Sequence, residues 1–329
     1  MKKRTFLSVA ACALVLTTQG VTAGDTVRLR FAHAGSAESS QHKAAKLFAD
    51  EVRKNSDERL RVQVYHNSQL GNDATVIGGV RGGTIDIMMA GSVNFAGLLP
   101  QMGALDLPFL FRDAAHAYAT LDGKVGSDLM AGLREHQLEG LGWFEVGFRS
   151  ITTSNRAVRT PDDVKGLKIR TTTNPSQIMA FRLLGTNPVP MPLGELYQAL
   201  ETGAVDAQEH PVSITWSSKF YEVQKYLTVS HHAYTAMPVV MNRQRFESLA
   251  PDLQKVLKDA ARKASAFQRD LNNRNEAEEL KKLEDEGMEV IRDFDPKPFK
   301  DIVVEKTRQD FIQKNGDAVL KDIDAVQTP

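Results

Sequence analysis

The chain has 329 residues, and 41 Lys plus Arg balance 41 Asp plus Glu, so its formal charge at pH 7 is zero. That balance argues against nucleic acid, which is held by basic patches and stripes, and a single cysteine, Cys12, excludes a disulfide framework. Stability must come from buried apolar area, for which about 300 residues suffice to build two separate cores.

Residues 1–23 read as a cleaved signal peptide. Lys2, Lys3 and Arg4 precede an apolar run from Phe6 to about Leu16, and Val21-Thr22-Ala23 offers small residues to a peptidase. The run is shorter than the roughly 20 residues that span a bilayer, which argues against an anchor. Val9-Ala10-Ala11-Cys12 loosely resembles a lipid-attachment box, but Ala13-Leu14-Val15-Leu16 carries the apolar run past the cysteine. Cleavage after Ala23 leaves 38 basic against 41 acidic side chains, a net charge of −3, and no thiol. No later segment is long and apolar enough to cross a membrane, so a soluble extracytoplasmic protein is expected.

Alternating apolar residues predict a strand over Val27–Phe31. A polar loop from His33 to Ser40 leads to a helix with Ala44, Ala45, Leu47, Phe48 and Val52 at helical spacing. A second strand follows at Leu60–Tyr65, then a turn-rich Asn67–Asp73, a short helix ending near Gly82-Gly83, and an apolar strand at Ile85–Met89. This alternation predicts a largely parallel sheet covered by helices. Ligands of such sheets sit at the carboxyl ends of strands, here Ala32-His33, Asn67–Asp73 and Ala90–Phe95.

After Gly140 the pattern begins again. Trp143–Phe148 reads as a connecting strand ending at Arg149, Pro161-Asp162-Asp163 as a helix start, and Gly166–Arg170 as a short strand ending in a basic residue. Helices are expected over Ser176–Leu184 and Glu195–Thr202, the latter closed by Gly203 before Val205-Asp206-Ala207. Two series imply two lobes. From Pro251 to about Glu286 helix formers continue without a break, a helix of roughly 50 Å that is too long for one small lobe. The expected fold class is thus α/β with a sheet in each lobe and a long helix spanning both. The first lobe comprises 24–147 and 236–275, the second 148–235 and 276–329, joined by ordered crossovers.

Metal-ligand spacing is absent: His231 and His232 are adjacent and point to opposite faces of an extended chain. Gly78-Gly79 and Gly82-Gly83 lack the Lys-Ser or Lys-Thr of a phosphate loop, and no G-x-S-x-G elbow occurs. No cofactor or metal is expected, and an enzyme is the weaker reading. Arg149 and Arg170, each ending a strand, stand out because a guanidinium matches a carboxylate with two parallel N–H groups, although most arginines are surface residues.

Short motifs resembling one family run along the chain: Leu29–His33 with Ser39 and His42–Ala45, Ser68–Asp73, Gly82–Asp86, Leu105–Phe111, Lys165–Arg170, Glu195–Leu200, Gly203–Glu209 and Phe220–Leu227. In that order they resemble the DctP-like solute receptors of tripartite ATP-independent periplasmic (TRAP) transporters. The resemblance implies a two-lobed periplasmic receptor that takes a small carboxylate to one small and one large membrane subunit, as a monomer and without ATP hydrolysis. It implies that Arg170, in the Gly-Leu-Lys-x-Arg motif, clamps the carboxylate and that Arg149 assists. His210 stands where the family usually has asparagine; if its ring touches ligand, binding should vary between about pH 5.5 and 7.5. Asn72-Asp73 partly replaces the family's acidic pair. Asn72, Asp73 and His33 are candidates for ligand hydroxyls or else for turns and caps, and Trp216 for ligand stacking or else for packing. Asp106 reads as structural. The polar strand ends favour a sugar acid such as a uronate or aldonate. C4-dicarboxylates, 2-oxo acids and aromatic acids stay open, as do a sensory receptor and a periplasmic enzyme.

Overall fold

The computed structural model describes residues 26–328; the expected signal peptide, with Cys12, lies outside them. The first sheet follows the predicted alternation: β1 (Val27–Ala32), α1 (Ser40–Asn55), β2 (Leu60–Tyr65), α2 (Asp73–Arg81) and β3 (Ile87–Met89). Helices α3 (Ala114–Asp122) and α4 (Lys124–Gly132) lead into the long strand β4 (Leu138–Phe148). Strand β5 (Ser150–Thr153) opens the second lobe, followed by α5 (Pro161–Val164), β6 (Lys168–Thr171), α6 (Pro175–Leu183), β7 (Asn187–Pro190), α7 (Leu193–Glu201), β8 (Ala207–His210), α8 (Val212–Ser217) and β9 (Tyr226–Thr228). The chain returns through β10 (Tyr234–Asn242) and α9 (Arg243–Glu247) to α10 (Pro251–Asp285), then ends in β11 (Glu289–Ile291), α11 (Lys297–Asn315) and α12 (Ala318–Asp324).

The strand order is β2-β1-β3-β10-β4 in one sheet and β11-β9-β5-β8-β6-β7 in the other. β1, β2 and β3 are parallel as expected, but β10 runs antiparallel between β3 and β4. Period-2 alternation sends Leu29, Phe31, Ile87, Met89, Val239 and Met241 to the face covered by α1 and α10, and Met88, Val240 and Leu138 to the opposite core. In the second sheet Ile151, Ile169 and Ala207 pack under α6 and α11, while Leu196, Leu200, Ile214 and Phe220 fill the other side.

Helix α10 has 35 residues and spans both lobes. Its first half, through Leu253, Leu257, Ala260, Ala261 and Ala264, belongs to the first lobe's core, and Leu280 and Leu283 near its end join Leu227 and Met288 in the second. The chain's end departs from the expected boundaries. Phe299 and Val303 of α11 pack in the second lobe, but Phe311, Leu320 and Ile323 lie in the core of the first. The apolar spacing in α12 shows that a face is buried and carries no mark of which lobe buries it.

The strand crossovers between lobes are hydrogen-bonded to each other: Arg149 N–H donates to Ala233 O at 2.8 Å and His232 N–H to Arg149 O at 3.2 Å. Just before them Gly147 takes φ +110°, a conformation closed to side chains with a Cβ, and the register with β10 shifts between Thr235 and Ala236. This bulged, glycine-bearing crossover turns the chain from one sheet to the next and aims Arg149 between them.

Candidate functional site

Between the lobes lies a cavity of about 200 Å³. The first lobe contributes His33, Asn72, Asp73 and Asn94, the second Arg170, Thr172, Thr173, Met191 and His210, and the crossovers Arg149 and Thr235. All come from strand ends, the adjoining helix starts or the crossovers, where the backbone frees polar groups and side chains converge.

The cavity's two arginines differ in electrical state. Arg149 and Glu209 form an ion pair with side chains 3% and 0% exposed. Arg149 Nε–H donates to Glu209 Oε2, Nη2–H to Glu209 Oε1 at 2.7 Å and to Glu209 O, and Nη1–H to Thr235 Oγ1 at 3.0 Å. Four of its five donors are used. Burial alone raises the Glu209 pKa, but Arg149 and the hydrogen bond from His232 outweigh it and hold the carboxyl at about 2. Gln177 Nε2 adds a further bond to Glu209 Oε1 at 2.8 Å.

Arg170 is equally buried and has no such neutralising partner. Its Nε and Nη2 donate to Met191 O at 3.0 and 2.7 Å, and Nη1 to His210 Nε2 at 3.3 Å. Among the described residues its bonds therefore go to a carbonyl and an imidazole, both neutral, and one N–H on each terminal nitrogen remains available. Burial, then repulsion from Arg149, lowers its pKa to about 10. A buried charge without a bonded counter-ion is costly.

The surrounding groups are neutral or acidic. Burial, then the charges of Arg149 and Arg170, push His210 well below the ordinary histidine range. This direction runs against the expected titration of His210 between pH 5.5 and 7.5, since protonation would place a third cation beside two buried arginines. Burial, then His42 and His66, lower His33 to about 3, and its Nδ1 is buried without a partner. Asp73 faces Arg170 across the cavity; burial raises its carboxyl to about 6, against the pull of that arginine. Asn94 Nδ2 donates to Asp73 Oδ2 at 3.2 Å. Asp106 is bonded to Ser92 and Thr235, behind the Arg149 pair.

Six of the seven sequence candidates, Arg170, Arg149, His210, Asn72, Asp73 and His33, line this cavity. Asn72 also caps α2, its Oδ1 accepting from Thr75 N. Trp216 is not among the lining residues: it stacks on Tyr221 with Lys282 over its ring, so packing is its place. Sequence reasoning missed Thr172, Thr173, Asn94 and Thr235. The first two directly follow the end of β6 at Thr171, and Asn94 falls in the named strand end at 90–95, so the strand-end rule reaches them; Thr235 carries no such signal. Among the described residues no group of His, Cys, Asp or Glu is placed to hold a metal ion.

Residues 31–314 match the family model described as "Bacterial extracellular solute-binding protein, family 7". The chain belongs to this family. It is 46% identical over 301 residues to the 2,3-diketo-L-gulonate-binding periplasmic protein YiaO of Escherichia coli, covering 91% of this chain and 92% of that protein. The crystal structure of a sugar acid binding protein from Advenella mimigardefordensis with galactonate superposes with a TM-score of 0.87 at 34% identity, covering 92% of this chain and 99% of that one. A TRAP periplasmic solute-binding protein from Polaromonas, bound to D-erythronate, superposes with a TM-score of 0.89 at 33% identity, covering 92% and 99%.

The Arg149–Glu209 pair makes stability depend on acid pH. Glu209 is depressed to about 2 in the fold against an ordinary value near 4.5, so its contribution is present above about pH 4.5 and is lost as pH falls toward 2. Denaturant titrations are expected to show this loss in the wild type and a shallower one in Glu209→Gln. An identical acid limb in the two proteins would contradict the pairing.

Proposed function

We propose that the chain is a monomeric periplasmic receptor, released by removal of residues 1–23, that closes over the single carboxylate of a hydroxylated sugar acid and hands it to the small and large membrane subunits of a TRAP transporter. The observation that carries this reading is Arg170, buried in the cavity wall and, among the described residues, bonded only to neutral groups. The ligand's carboxylate is the missing counter-ion. Arg149, already neutralised by Glu209, offers one remaining N–H and assists.

The balance of charge favours a monocarboxylate over a C4-dicarboxylate. Among the described residues Arg149 and Arg170 are the cavity's arginines, no lysine lines it, and only Arg170 lacks a carboxylate partner. The facing wall carries Asp73, which would repel a second carboxylate but accepts hydrogen bonds from hydroxyls. Asn72, Asn94, Thr172, Thr173 and His33 extend the same polar lining. The sugar-acid ligands named for the similar proteins fit this chemistry. Closure of the lobes removes water and strengthens the contact with Arg170.

Isothermal titration of the mature chain with galactonate, D-erythronate, 2,3-diketo-L-gulonate and succinate tests the reading. A sugar acid is expected to bind, its methyl ester and succinate far more weakly. Arg170→Ala should cost about 2–5 kcal/mol, or roughly 30-fold or more in affinity. Succinate as the tightest ligand would overturn the substrate class, and unchanged affinity in a folded Arg170→Ala would overturn the anchor.

Binding should also depend on pH through Asp73. An incoming carboxylate adds negative charge beside a carboxyl already raised to about 6, raises it further, and so takes up a proton. Affinity is expected to strengthen as pH falls from about 7.5 toward 6, to lose that dependence in Asp73→Asn, and to keep it in His210→Asn. The same slope in Asp73→Asn would contradict the assignment.

A further inference from the structure

The second sheet carries a row of polar side chains where a buried sheet face ordinarily carries apolar ones. Gln208 and Thr152 are directly opposite on β8 and β5, both 0% exposed, and Gln224 beside them is 3% exposed. None of the three lines the cavity. They share a face with His210, two residues along β8 from Gln208, and with Arg170 on the neighbouring strand β6, since Ile169 pairs with Ala207 and alternation turns both of those to the opposite face.

Their hydrogen bonds form one continuous chain whose direction is set at both ends. At one end Gln224 Nε2 donates to Val223 O at 3.0 Å, and a carbonyl can only accept. Gln224 Oε1 therefore accepts from Thr152 Oγ1 at 2.9 Å, and Thr152 Oγ1 accepts from Gln208 Nε2 at 2.8 Å. That leaves Gln208 Oε1 to accept from His210 Nδ1. At the other end the Arg170 guanidinium can only donate, so His210 Nε2 must accept. Read from either end, His210 is neutral with its proton on Nδ1.

We propose that Gln208, Thr152 and Gln224 are positioning residues, which fix the tautomer of His210 and through it the orientation of the Arg170 guanidinium that receives the ligand. With Met191 O holding Nε and Nη2 and His210 holding Nη1, the guanidinium is held on both sides before ligand arrives. The opposite tautomer would set a His210 Nε2–H against an Arg170 N–H, two donors face to face, and would release one side of that hold. The relevance to binding rests on Arg170 being the anchor; the tautomer itself does not.

Ring-nitrogen NMR of the ¹⁵N-labelled mature chain reads the tautomer without any ligand, with His210→Asn identifying the signal. The wild type is expected to show a protonated Nδ1 and a bare Nε2, unchanged from pH 5.5 to 7.5. Gln208→Met, which removes the acceptor at nearly constant volume, should populate the other tautomer, whereas Gln208→Glu keeps the acceptor and the proton on Nδ1. A role in filling space alone would not separate these two variants. With galactonate as probe, Gln208→Met should weaken binding roughly tenfold, the scale of one buried bond broken. A wild-type His210 protonated at Nε2 would overturn the proposal even if no variant folds. A Gln208→Met protein with the wild-type tautomer would overturn it as well. Failure of the wild type to bind any sugar acid would instead count against the proposed function, and the NMR result would still decide the tautomer.

Discussion

Two arginines are withdrawn from water in the same cavity, and only one is given a carboxylate. Burying a guanidinium without a negative partner costs several kcal/mol, and the cost falls when an anion arrives in good geometry. Glu209 meets that demand for Arg149 inside the protein, with His232 and Gln177 satisfying its remaining lone pairs. For Arg170 the demand is left open. The rest of the site is arranged around this inequality: one buried cation without a carboxylate bonded to it among the described residues, a His210 imidazole pushed toward its neutral form by burial and by the two arginines beside it, and Asp73 on the facing wall.

The fold holds this arrangement without a flexible linker. Arg149 lies in the crossover itself, bonded to Thr235 of the returning strand and through it to the buried Asp106 of the first lobe, while Glu209 belongs to the second. A polar network thus runs across the joint between lobes. The crossovers are paired to one another and α10 packs into both cores, so the network is tied to both lobes. In the proposed function the neutralised arginine is the fixed point and the open one the receiver.

Much of this was legible in the sequence, because it depended on local pattern. Alternating strands placed His33, Asn72 and Asp73 at strand ends of the first lobe, and the uninterrupted helix formers from Pro251 announced a helix longer than one lobe. The motif around Arg170 singled out an arginine that lines the cavity. What stayed hidden depended on contacts between distant segments. Glu209 stood in a recognised motif, yet its pairing with Arg149 across 60 residues, and hence the inequality of the two arginines, appears only in three dimensions. His210 carried a plausible pH window until burial beside two cations removed it. Trp216 had the chemistry of a stacking residue and a neighbour, Tyr221, that claimed it. The apolar face of α12 gave no sign that it would cross back to the first lobe.

The central claim is that one arginine is spent on the fold and the other reserved for the ligand. A crystal structure of the mature chain with a bound sugar acid tests it most directly. The account predicts the ligand carboxylate on the terminal nitrogens of Arg170, with the Arg149–Glu209 pair intact and the ligand hydroxyls toward Asp73 and Asn94. A carboxylate seated on Arg149 with Glu209 displaced, or one that leaves Arg170 untouched, would contradict it.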